Sequence, residues 1–98
     1  MNQRICNAIL HRNVLRLVYD WGNRIVEPHC YGINDKDHEL LRAYQTSGDS
    51  KSNESVGWKI FRVDELNQLT VLDQGFASPR LGYRRGDPAM TKQIYCEL

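Results

Sequence analysis

The sequence predicts a mainly β domain with one short N-terminal helix and about five strands, folded as a small barrel or a partly open sandwich. Three observations carry this. Apolar residues recur at helical spacing only near the start, where Ile5, Ala8 and Ile9 fall at i, i+3 and i+4. From Asn13 onward the period becomes two. The alternating runs are also short, and Gly, Asn, Asp or Ser separate them. A chain of 98 residues has room for one core, so the whole of 1–98 is read as one domain. It divides into a helix over 2–12, a barrel over 13–76 and an irregular arm over 77–98.

Each element follows from local chemistry. Asn2 is a suitable N-cap for the helix, and Arg12 places positive charge in its last turn. In NVLRLVYD, Leu15, Leu17 and Tyr19 share one face while Arg16 and Asp20 share the other. Trp21-Gly22-Asn23 then offers a tight turn in which the glycine is free to take positive φ. The next run, RIVEPHCYGI, contains Pro28, which cannot donate to a ladder, so this strand must be an edge or carry a bulge there. Asn34 to His38 form a polar turn, and Leu40 to Gln45 a third strand with Leu41 and Ala43 opposite in parity to Arg42 and Tyr44. SGDSKSNESVG is too polar to bury and reads as a hairpin loop. In WKIFRVDEL, Phe61 and Val63 take one face and Trp58, Ile60, Arg62 and Asp64 the other. After Asn67-Gln68, LTVLDQGF supplies a fifth strand. The remainder has no clear period, with one more short strand expected at Gln93 to Cys96.

Composition narrows the function classes. Thirteen basic side chains against 12 acidic ones leave a net charge of +1, which excludes a histone-like, generally basic mode of binding but permits a local basic patch. The N-terminal apolar run is broken at Asn7 and stops at His11, unlike a signal peptide or a membrane span. The chain is therefore expected in the cytoplasm, with Cys6, Cys30 and Cys96 as reduced thiols. His29 beside Cys30 lacks the second spaced pair that structural zinc needs, so neither a metal nor a cofactor is expected. His11, His29 and His38 are scattered, and no nucleophile turn or glycine-rich phosphate loop is present. Glu27 and His29, two apart on a strand, are the one conceivable general-base pair, and nothing supplies a third group. The expectation is a non-enzyme.

Taken in order, several short motifs resemble the WYL domain, a prokaryotic SH3-like (Sm-like) β-barrel. They are Ala8-Ile9 in the helix, Leu17-Val18-Tyr19, Arg24-Ile25-Val26-Glu27-Pro28, Ala43-Tyr44, Phe61-Arg62-Val63-Asp64, and Val71-Leu72-Asp73 with Phe76. The tripeptide that names the family falls at Glu39-Leu40-Leu41, where the Leu is kept. The resemblance covers about Asn2 to Pro79. It implies a regulatory module of the kind found in transcription factors and phage-defence systems, sensing nucleotides or single-stranded nucleic acid. No second helix pairs with the first to make the helix-turn-helix that commonly precedes such domains, so the chain is expected to be a standalone relative. The resemblance also implies a basic and aromatic pocket, to which Tyr19, Arg24, Tyr44 and Arg62 correspond, followed by His29 and Arg42.

Parity adds to this. With Leu41, Ala43, Phe61 and Val63 in the core, Arg42, Tyr44 and Arg62 project together from the other face. Arg matches phosphate oxygens through a planar fork, and an aromatic ring stacks on a base. The simpler alternative for Arg62 is an ion pair with Asp64 or Glu27, and for Tyr19 a place in the core. Trp21, at a turn, and Trp58, just after the loop, are candidates for binding a protein partner or a second copy of the chain. The basic stretch Arg80, Tyr83, Arg84 and Arg85 reads either as a solvated arm or as a phosphate-contacting extension.

Overall fold

The computed structural model describes all residues from Met1 to Leu98. Helix α1 spans Gln3–His11 and is followed by strands β1 (Asn13–Tyr19), β2 (Gly22–Ile33), β3 (Glu39–Gly48), β4 (Gly57–Arg62), β5 (Leu66–Gly75) and β6 (Gln93–Glu97). A single 3-10 turn, Val63–Glu65, joins β4 to β5. All pairings are antiparallel, in one open six-stranded sheet of order β4-β3-β2-β1-β5. The sixth strand, β6, pairs with the far half of β2.

The helix forms where its caps put it. The Asn2 side chain accepts from the Arg4 and Ile5 amides, and Arg12 closes the other end in the left-handed region with φ 53°. Its buried stripe, Ile5, Cys6, Ala8 and Ile9, packs on the inner sheet face. There it meets Leu15, Leu17, Val26, Tyr31, Leu41, Ala43 and Phe61, so the alternation locates the core face. A smaller cluster on the opposite face joins Cys30, Leu40 and Met90. Both faces of β2 and β3 are thus covered.

Pro28 is accommodated by both expected devices. A register shift falls between Pro28 and Cys30 in the β2–β3 ladder. On the other side of β2, pairing with β1 ends at Val26 and pairing with β6 starts at Cys30, so no ladder bond is required at the proline. Gly32 permits this arrangement, because a Cβ there would lie 2.4 Å from the Gln93 carbonyl oxygen.

Three expectations need correction. The β1–β2 turn is centred on Asp20 and Trp21, with φ of 51° and 60°, while Gly22 already pairs with Tyr19. The register of the hairpin, set by burial of Leu15, Leu17 and Val26, forces the two left-handed positions onto non-glycine residues. Gly22 serves close approach instead, since a Cβ would come 2.8 Å from the Asp49 Cβ. Second, Val63 packs on the core side as expected but lies outside the strand: β4 ends at Arg62, and β5 begins at Leu66 rather than after Gln68. Third, Cys6 and Cys96 form a disulfide, with Cα atoms 5.7 Å apart across 90 residues, and only Cys30 is free. Packing of α1 against β6 brings the two sulfurs together, which removes the cysteine-based argument for a reducing compartment. No helix is long and apolar enough to cross a membrane.

Candidate functional site

The eight candidate residues do not share one surface. Seven of them divide between an inner site at one end of the sheet and an outer face covered by the chain's own arm, and Arg62 lies apart from both.

At the inner site, Arg24 projects from β2 onto the core face. It is only 6% exposed. Its guanidinium carbon lies 5.5 Å from the Tyr19 ring and 5.7 Å from the Phe61 ring, and those rings meet edge to face at 5.1 Å. No carboxylate approaches Arg24 within ion-pair distance, and its Nε is buried without a hydrogen-bond partner. Burying an ion costs several kcal/mol, more than two cation–π contacts of about 0.5–2 kcal/mol return. Gln45, on the same face of neighbouring β3, is also fully buried and leaves its Oε1 unpaired. Arg24 lines an open pocket of about 290 Å³ between the β1–β2 turn and the start of the Ser-rich loop. Trp21, 83% exposed, lines it together with Ser50 and Lys51. Two carboxylates also line it, and each has a partner: Asp20 pairs with Lys51, and Asp49 accepts from the Asn23 amide.

Tyr19 belongs to this site through its ring, and its hydroxyl is committed elsewhere. That hydroxyl donates to Glu65 at 3.0 Å and accepts from the Arg62 amide. Burial pushes its pKa upward, opposed by the hydrogen bond from the Arg62 amide and aided by the Glu65 carboxylate. Arg62 sits apart at the rim, held by Asp64 at 2.7 Å and by Glu65 at 3.7 Å. Its ordinary ion-pair alternative is realised, though with Asp64 rather than Glu27.

His29, Arg42, Tyr44 and Trp58 do come together, on the outer face of β2, β3 and β4. There the segment from Phe76 to Met90 packs across them. The Arg80 guanidinium grips Glu27 through two bonds of 2.7 and 3.0 Å and lies 4.7 Å from the Tyr44 ring. Arg42 pairs with Asp87 at 2.8 Å, and Trp58 donates to the Leu81 carbonyl. Burial tends to raise the Asp87 carboxyl, but its hydrogen bonds from Arg42 and Ala89 outweigh this and hold it low. The expected solvated arm is therefore docked, and the expected platform lies beneath it.

His29 is the centre of that docking. It is fully buried, edge-on to Trp58 and Tyr83 and stacked on Phe76. Its Nε2 accepts from the Arg80 amide at 3.0 Å, which requires a lone pair on that nitrogen. The proton therefore sits on Nδ1 and is donated to the Glu27 carbonyl at 2.8 Å. Burial holds the ring neutral by lowering its pKa. With both ring nitrogens and the Glu27 carboxylate engaged, this pair has no group free to move a substrate proton.

Sequence reasoning places Tyr83 and Arg84 only in a basic stretch, and Ser50 and Lys51 only in a polar loop, not in either site. The clustering of Arg80, Tyr83, Arg84 and Arg85 was visible in the sequence, but nothing in it indicated which strand face the arm would meet. The molecule is thus a small open antiparallel sheet with one capping helix, bearing a buried, unpaired arginine at one end. No family model, curated protein or solved structure matches the chain.

Proposed function

We propose that the protein is a non-enzymatic, WYL-like binding module with an SH3-like strand arrangement, which takes a nucleotide, free or within a single strand, at the Arg24 end of its sheet. The observation that carries this reading is a buried arginine, 6% exposed, with no carboxylate partner and an unpaired Nε at the edge of an open pocket. A phosphate supplies the missing countercharge, and charge-assisted bonds to a fixed guanidinium are the strong kind. Exposed Trp21 offers a stacking surface beside it, worth about 1–3 kcal/mol per base. The rim carboxylates of Asp20 and Asp49 suit hydroxyl and amino donors of a nucleoside. A regulatory role, in transcription or phage defence, follows from the motif resemblance.

The test is titration of the folded protein with nucleoside monophosphates and short single-stranded DNA and RNA at low and high salt. The variant is Arg24→Met, which keeps an apolar stem against the Tyr19 and Phe61 rings. Binding should fall as salt rises and weaken at least about tenfold in Arg24→Met, whose stability is unchanged or higher because a lone buried charge is gone. Absent or salt-insensitive binding overturns the reading. A second reading, a surface for a protein partner or a second copy of the chain, is favoured by the exposure of Trp21 (83%) and Leu81 (98%).

A further inference from the structure

We infer a second ligand site, separate from the Arg24 end, between the arm and the outer face of β3 and β4: a pocket for a single-ring aromatic carboxylate. The two sites share no lining residue. This pocket is open, about 220 Å³ in volume, and it exists only because the arm is docked. That volume is below the span typical of drug-sized ligands and suits a small, single-ring molecule.

Its chemistry is an aromatic wall with a free cation. Trp58 and Tyr83 lie nearly parallel, with centroids 6.1 Å apart and planes 27° from one another, and Pro88 extends the apolar surface. Both rings are held in place: the indole N–H donates to the Leu81 carbonyl and the Tyr83 hydroxyl to the His29 carbonyl. A ligand ring therefore meets a preformed surface, with little side-chain entropy left to lose. Arg84 also lines the pocket and makes no ion pair or hydrogen bond, whereas neighbouring Arg85 is paired with Glu97 at 3.1 Å. The remaining charges on the wall, Arg42 and Asp87, neutralise one another. The net charge facing a ligand is thus the single positive charge of Arg84. A planar carboxylate meets its fork with two parallel bonds while the attached ring lies against Trp58 and Tyr83.

The probe is benzoate, read through Trp58 fluorescence in a Trp21→Phe background so that the other indole is silent. Saturable quenching with a Kd on the order of 1 mM or tighter is expected. Neutral benzamide should bind at least tenfold more weakly. Arg84→Gln should lose at least tenfold in benzoate affinity, and Arg85→Gln, which removes an adjacent but paired charge, should lose none. Arg84 lies on the surface, so its replacement leaves the fold intact; circular dichroism of each variant checks this. No saturable response to benzoate, equal binding of benzamide, or equal losses in the two arginine variants overturns the proposal. Binding at the Arg24 end is read separately with nucleotides, so either site can fail alone.

Discussion

At the scale of single residues, the most informative position is Trp21. A bulky aromatic side chain in the left-handed region is strained, at about 1–3 kcal/mol, and here it is neither buried nor bonded through its ring. Its backbone amide alone is used, donating to Asn67. Replacement by glycine should therefore raise stability in urea unfolding by about 1 kcal/mol. The same change removes the stacking surface beside Arg24 and should weaken nucleotide binding. Opposite signs for stability and binding are the signature of a residue kept for its ligand; a loss of both contradicts that role. Arg24 itself was legible in the sequence as a candidate, but its burial was not. Parity places it on the same face as Val26, and an arginine on a core face is unexpected until Tyr19 and Phe61 are seen to pack against it.

At the scale of elements, the arm decides what the outer sheet face presents. Its docking requires His29 to be neutral, because protonated Nε2 cannot accept from the Arg80 amide. The folded-state pKa of His29 lies below the ordinary 6.5. A depressed histidine means the unfolded chain binds more protons, so its contribution is fully present above about pH 6.5 and declines as pH falls toward the folded value. Unfolding free energy should accordingly drop between pH 7.5 and 5.5, by at most about 1.4 kcal/mol per unit. His29→Gln, which cannot titrate, should flatten that slope; an unchanged slope in the variant assigns the effect to another group. The helix, its caps and the strand alternation were readable because they are local and periodic. The arm was not, because its bonds join residues about fifty positions apart, such as Arg80 to Glu27, with no repeat to reveal them. The 3-10 turn after Arg62 was missed for a related reason: Val63 keeps the parity of a strand residue and packs against the core without being in one.

At the scale of the whole molecule, one covalent link spans nearly the entire chain. Closing a loop of 90 residues restricts the unfolded ensemble by about 4–5 kcal/mol in the chain-entropy description. Reduction by a dithiol, or Cys6→Ser, should lower the unfolding midpoint by tens of degrees, since about 1 kcal/mol moves a domain of this size by 4–8 °C. Cys30→Ser in oxidised protein should not cause a comparable shift. Burial pushes the Cys30 thiol up to about 12, so it should also resist alkylation in the native state. A midpoint insensitive to reductant shows that the two sulfurs are not bonded. The pairing was beyond sequence reasoning because it depends on how α1 sits against β6, and three cysteines admit three different single pairings.

The same link closes residues 6–96 into a covalent ring. The Ser-rich segment between Gly48 and Gly57 is exposed and is the natural place for a protease to cut that ring. A chain nicked once there remains one molecule: the half carrying β1 and β2 and the half carrying β4 and β5 stay tethered through Cys6 and Cys96. Strand pairing across the cut then stays intramolecular, and its effective concentration does not depend on dilution.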